Sequence, residues 1–307
     1  MATKRAATVT PYENTFARDF AGVWGKDRKG ARIRSVILNP AGTGIRKADD
    51  EPMRYPLIEM GIGGGGQGGE VRLKLWLSLL YRTIKTEDWI KLRSSEHAMY
   101  AQMFGLEDPH GKGADRIRAA YRWLHANRFI VIDGGRLKPF GKVRVAHEVV
   151  QFLPAEFPMV LRPSPSGTKD VELEQHPNLR HRYFSVPRGL WENGWIAHLR
   201  ASELLVLMIL CDAVRGKTGT TIEIPDHSRL ESYGLTDDMW RQGSSGLERR
   251  GIIVQRPKKG RIQVESTWRF TPDSARVFEF TAPTAEEALA RPYDAALQPA
   301  IRSEIVQ

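Results

Sequence analysis

Residues 241–253, RQGSSGLERRGII, set Gly-Ser-Ser-Gly, the composition of a flexible linker, directly ahead of a strongly helical Leu-Glu-Arg-Arg. Either the stretch is a hinge, or a helix needs small residues there. Counting from Trp240 at helical spacing, one face takes in Gly243, Ser244 and Leu247. Two small residues therefore fall where the helix must press on a neighbour, and a true linker has no reason to be phased with its flanks. Each glycine costs about 1 kcal/mol relative to alanine in a helix interior, which burial of Trp240 and Leu247 can offset. The reading is a helix over 236–250. Thr236 is its N-cap, Asp237 and Asp238 sit in the first turn where the helix dipole favours negative charge, and Gly251 stops it.

The same reading extends outward. In SELLVLMILCDAV, Ser202 is placed to cap a helix whose apolar residues Leu204, Leu205, Met208, Cys211 and Val214 recur at threes and fours. The β-branched piece TIEI follows. Pro225 then opens a second helix, PDHSRLESYGL, in which Leu230 and Tyr233 share a face and Gly234 ends the run. After the third helix, Ile252 to Gln255 read as a strand, and RPKKGRIQVESTWRF turns at Lys259-Gly260 into a returning strand. The tip of that hairpin carries Arg256, Lys258, Lys259 and Arg261.

Residues 70–150 repeat this order about 120 positions earlier. VRLKLWLSLLYRTI supplies a first helix with Leu73, Trp76, Leu77, Leu80 and Ile84 on one face. SSEHAMYAQMFGL supplies a second, with Met99, Met103 and Phe104 inward. The insertion EDPHGKG lengthens the turn into ADRIRAAYRWLHANRFIVI, a third helix near 114–127 and a strand. Its inward face is Ile117, Ala120, Tyr121 and Leu124. Asp133-Gly134-Gly135 gives a hairpin turn and RLKPFGKVRVAHE the returning strand.

Three helices followed by a hairpin with a basic tip is a winged-helix arrangement. The stretch GLTDDMWRQGSSGLERRGII resembles the turn, third helix and first wing strand of winged helix-turn-helix regulators, LERRGII being the most specific part of the match. Two such units in a chain of this length resemble plasmid or phage replication initiators. The implied fold class is α+β, mainly helical, with two winged-helix domains at 70–150 and 182–280. They are joined by a Pro/Ser-rich linker over 151–181, with a basic, partly flexible N-terminal arm at 1–69 and a tail at 281–307. In the arm, IRSVIL reads as a strand and GIGGGGQGG, residues 61–69, as a joint. In the tail, Thr284 stands three residues ahead of Glu287, a capping-box spacing that suits a short helix.

A helix about 10–12 Å across fits the DNA major groove, with a basic wing on the flanking backbone. The first domain offers Arg116, Arg118 and Arg122 on its third helix, preceded by Lys112. Arg118 and Arg122, at i and i+4, point outward together, able to fork onto guanine edges or phosphates. Arg136, Lys138, Lys142 and Arg144 alternate along one strand face as phosphate contacts. In the second domain Arg241, Gln242 and Ser245 face out as DNA-binding candidates, Arg241 and Gln242 as readers of guanine and adenine; Arg256, Lys258 and Lys259 hold the backbone, with Arg261 beside them on the basic hairpin. That helix is less basic than its counterpart, so the second domain has protein contact or homodimerisation as its alternative.

Composition agrees with a polyanionic partner: 46 Lys+Arg against 36 Asp+Glu leave a formal charge of +10 over 307 residues. The sole cysteine, Cys211, lies in an apolar run and reads as a buried small hydrophobe, so no disulfide framework or thiolate metal cluster is expected. The N-terminus has no apolar secretory core and the run 204–211 is too short to span a bilayer. The expectation is therefore a cytoplasmic, nucleoid- or plasmid-associated protein without a membrane anchor.

Catalytic, cofactor and metal readings find no motif. RGKTGT holds a Gly-Lys-Thr, but Cys211 stands where a phosphate-binding loop needs glycine. His176 and His181 lack partners at metal spacing, and neither GxSxG nor HExxH occurs. The expected partner is double-stranded DNA, in a replication initiator. A transcriptional regulator, or a partition or scaffold adaptor that uses one domain to hold a replication or partition protein, are the alternatives.

Overall fold

The computed structural model describes residues 30–38, 55–62, 68–83, 89–138, 140–145, 183–214, 220–224, 226–256 and 277–280. The fold is α+β and mainly helical. Its described elements run β1 (Gly30–Arg34), α1 (Ser35–Leu38), α2 (Pro56–Ile62), α3 (Gly68–Arg82), β2 (Ile90–Lys91), α4 (Glu96–Met103), α5 (Lys112–Ala126), β3 (Ile130–Ile132), β4 (Lys142–Val145). The order continues with β5 (Tyr183–Pro187), α6 (Gly189–Glu192), α7 (Trp195–His198), α8 (Ala201–Val214), β6 (Thr220–Glu223), α9 (Asp226–Tyr233), α10 (Asp237–Arg249), β7 (Val254–Arg256) and β8 (Val277–Phe280).

From α3 the order is helix, strand, helix, helix, strand, strand, and from α8 it is the same again. Each time the three strands form an antiparallel sheet with the last strand in the middle, β2-β4-β3 and β6-β8-β7. The third helices match residue for residue. Ile117, Ala120, Tyr121 and Leu124 of α5 are buried, and so are Trp240, Gly243, Ser244 and Leu247 of α10, 123 positions later in each case. Both helices end with a residue of positive φ, Arg128 and Gly251. The next amide then reaches back, Phe129 N to Leu124 O at 2.8 Å and Ile252 N to Leu247 O at 3.0 Å.

The glycines of 241–253 are inside α10, and their lack of a side chain is what lets α10 lie on α8. A β-carbon on Gly243 would stand 2.4 Å from the Ser202 carbonyl oxygen and 2.6 Å from Val206 Cγ2. One on Gly246 would stand 2.1 Å from Glu203 Oε1. Gly243→Ala therefore sets two effects against each other: helix propensity gains about 1 kcal/mol, while forcing a methyl into a closed helix contact costs about 1–3 kcal/mol or more. Because a backbone oxygen is the obstacle, the clash wins. Urea unfolding should show a net loss of about 1–2 kcal/mol, and a more stable variant would mean that the two helices do not approach this closely.

Several local expectations shift. The first residue of α8 is Ala201, and Ser202 lies within the helix. The end is instead closed by Glu203, whose Oε2 accepts from Arg200 N at 2.7 Å, the reach-back half of a capping box. In α4 Tyr100 joins Met103 and Phe104 inside, while Met99 is half-buried. In α9 the expected inward Leu230 is 58% exposed, and its neighbour Arg229 is buried instead. Arg229 lies over the Trp240 ring at 4.8 Å and donates through Nη2 to Ile224 O at 3.3 Å. A planar guanidinium satisfied by a ring and a carbonyl can be buried where leucine was expected. Gly234 does end α9 with φ 67°, and Thr236 Oγ1 accepts from Met239 N at 3.4 Å as the cap of α10.

The largest difference concerns the N-terminal segment. Residues 30–38 and 55–62, expected in an arm, put Ala31, Ile33, Ile37, Leu38, Leu57 and Met60 into the core. β1 pairs antiparallel with β5 from Gly30↔Pro187 to Arg34↔Tyr183, and IRSVIL is split between that strand and α1. Ser35 Oγ donates to Asp212 of α8. Tyr55 OH donates to Glu231 O at 2.5 Å, and the Tyr55 ring covers Gly234. Of the glycine run 61–69, Gly61 belongs to α2 and Gly68 and Gly69 open α3. A β-carbon on Gly69 would meet Gly61 O at 2.0 Å, so α2 and α3 also cross at small residues. The expected 151–181 linker and the 281–307 tail lie outside the described residues.

One hydrophobic core runs through both units. Trp191 of α6 stacks on Tyr81 of α3, ring centroids 4.3 Å apart, and donates through Nε1 to Ser78 Oγ at 3.0 Å. Beside it, the buried Lys74 pairs with Glu70 at 2.7 Å and donates to Ala197 O at 3.0 Å. Arg250 bonds both Glu203 Oε1 at 3.2 Å and His198 O at 3.0 Å. Burial, then the charges of Lys74 and Arg250, hold His198 down to about 4, so its imidazole is neutral in this seam. Cys211 is buried as expected, and burial together with Asp212 pushes its thiol up to about 12. No described helix is long and apolar enough to cross a membrane.

Candidate nucleic-acid interface

Helix α5 begins at the inserted EDPHGKG. Asp108, at φ 47°, folds its carboxylate over the helix start and accepts from Gly111 N at 3.1 Å and Lys112 N at 3.0 Å. The insertion is therefore a cap. It takes up amides that an anion would otherwise find at the positive end of the helix.

On the outward side of α5, Lys112 and Arg122 are exposed, while Arg116 and Arg118 are half-buried. Arg118 is held by Asp115 one turn earlier. Arg118 and Arg122 thus share the expected face, with Arg118 anchored to a carboxylate and Arg122 extended to solvent. In α10 the same pair recurs 123 positions on, as Asp238 with Arg241. Gln242 is exposed and Ser245 half-buried, and Arg249 adds an exposed cation that Ser245 O holds at 3.2 Å. With Asp237 and Asp238 both exposed, α10 offers a mixed face and α5 a basic one.

The four wing cations of the first unit do not lie along one strand face. The returning strand starts at Lys142. Asp133–Gly135 form a 3₁₀ turn with Gly134 and Gly135 at φ 67° and 69°. Arg136 and Lys138 are exposed in the loop that follows. Lys142 and Arg144 do share the outer face of β4, but Arg144 is half-buried over the Trp89 ring at 5.0 Å.

Sequence reasoning missed Lys91 and Arg93, both exposed. Lys91 is in register with Lys142 across β2 and β4. Like charges directly opposed in a sheet repel. The missed signal is the alternation Trp89-Ile90-Lys91, which puts Lys91 outward.

In the second unit Arg256 ends β7, which pairs with β8 at 277–280; the 261–270 stretch read as the returning strand lies outside the described residues. Arg256 is in register with Val277. Lys258, Lys259 and Arg261 lie outside the described residues. Neither the protein-family models, nor the curated proteins, nor the solved structures compared with this chain contain a match to it.

Proposed function

We propose that the chain is a sequence-specific double-stranded DNA-binding protein built on two winged-helix domains, acting as a replication initiator of a plasmid or phage-like element. The observation that carries this reading is the duplicated order of three helices and a three-stranded sheet, with an Asp-x-x-Arg pair at the same outward position of both third helices. A helix held against its own unit by one face and bearing arginines on the other has the shape and charge to enter a major groove. The cations of β2, β4 and the loop between β3 and β4 supply phosphate contacts beside it.

Arg118→Ala and Arg122→Ala are each expected to weaken binding by about 1–3 kcal/mol if they read bases. Fluorescence anisotropy on the duplex footprinted within the gene's own flanking DNA measures this. Unchanged affinity in the double variant removes α5 from the interface. Footprints over direct repeats in a segment that supports replication favour the initiator, whereas a single palindrome over a promoter favours a transcriptional regulator.

A second reading applies to the second unit alone. Its two exposed acids at the start of α10, Asp237 and Asp238, suit a protein surface better than a phosphate backbone. On that reading Arg241→Ala with Gln242→Ala leaves DNA affinity intact and abolishes contact with a partner protein or a second copy.

A further inference from the structure

Phe140 is 73% exposed, more than any other large hydrophobic side chain among the described residues. It directly precedes Gly141, whose N donates to Lys138 O at 3.0 Å and closes a turn. Its φ is 60°. Turns that need a positive φ at their third position normally place Gly or Asn there, because a β-carbon crowds the backbone. A bulky ring in that conformation is strained, and such strain persists only where the surroundings impose it, as at ligand clamps. The turn is not loose: Leu92 N donates to Gly141 O at 2.8 Å, tying it to the end of β2.

The ring thus projects from a braced tip. Around it the loop and adjoining strands expose Arg136, Lys138 and Lys142, with Lys91 opposite Lys142 and Arg93 nearby. Asp133 is the acid at the loop's start. One phenyl ring is far too little apolar area for a stable protein interface, and the exposed charged residues of its loop and of the strand tied to it are cations apart from Asp133. An apolar wedge inside a cationic collar matches the way architectural proteins enter a minor groove, pushing a side chain between base steps and kinking the duplex. We infer that Phe140 is such a wedge: it inserts between base pairs in the minor groove and bends the DNA that α5 engages. The inference rests on the DNA-binding reading above.

The test uses the full chain at low ionic strength. The duplex is A·T-rich, fluorophore-labelled at both ends, with 2-aminopurine at a central TA step, which is easily unstacked. Wild-type protein should raise energy transfer between the ends and brighten 2-aminopurine. Phe140→Gly, which suits the positive φ and so keeps the turn, should still bind by anisotropy but leave the duplex straight and the probe quenched. Phe140→Trp should retain both signals, which guards against a folding defect in the glycine variant. A bend equal to wild type with Phe140→Gly, or wild-type binding without bending, overturns the wedge while leaving DNA binding intact. No anisotropy change with wild type overturns the DNA reading itself and the wedge with it. Self-association lost in Phe140→Gly with bending unaltered assigns the ring to a protein contact and also overturns the wedge.

Discussion

Glu96→Ala is expected to lower the stability of the folded chain by about 3–5 kcal/mol, the usual cost of stranding one half of a buried ion pair. Glu96 is fully buried at the start of α4. One carboxylate oxygen pairs with Arg82 at the end of α3 and the other accepts from Arg93 N at 3.1 Å. Arg82 in turn reaches Lys91 O at 3.4 Å. Removing the carboxylate leaves a largely buried guanidinium facing Tyr100 and Tyr121 with its charge uncompensated. Chemical denaturation followed by tryptophan fluorescence measures the loss. Replacing Glu96 and Arg82 together by methionines should cost much less than the single change, because no charge is then left behind. A single-variant loss below about 1 kcal/mol would show that the pair is solvated and the argument wrong.

Trp191→Ala should cost a similar amount, about 3–5 kcal/mol. The indole is almost wholly buried, lies flat on Tyr81, and has its N–H satisfied by Ser78. All of its partners named here belong to α3, whereas Trp191 itself precedes the second unit. The variant therefore opens a cavity between α3 of the first unit and the segment that leads into the second. Calorimetry of the wild type should give one transition, since both units share the seam, and Trp191→Ala should lower its midpoint or split it in two. Trp191→Phe keeps ring on ring and loses one hydrogen bond, so about 1 kcal/mol is expected. A variant as stable as wild type would mean that the units hold together without this contact.

What was legible in the sequence was what periodicity and caps encode locally. The inward faces of α5 and α10, the Thr236 cap, the Gly234 and Gly251 stops and the burial of Gly243-Ser244 all follow from neighbours within one or two turns. What was missed depends on distant partners. β1 is fixed by a strand some 150 positions away, and no local pattern names such a partner. Leu230 and Arg229 exchanged places because a tryptophan ring and a carbonyl were available to a guanidinium. The central strand of the second sheet, at 277–280, went unread because its place is chosen by β6 and β7, the strands it lies between. The basic outer edge was only half visible for the same reason: Lys91 gains its meaning from Lys142, a residue of another strand.

The pairing of β1 with β5 bears on thermodynamics as well as on architecture. A ligand that touches both α5 and α10 meets one preassembled body, not two modules on a tether. Once the first helix is seated, the second engages without surrendering further translational or rotational freedom, since folding has already settled that cost. Whatever the ligand, its affinity for the pair then reflects how well its own spacing fits, and no length of intervening chain can relax a poor match.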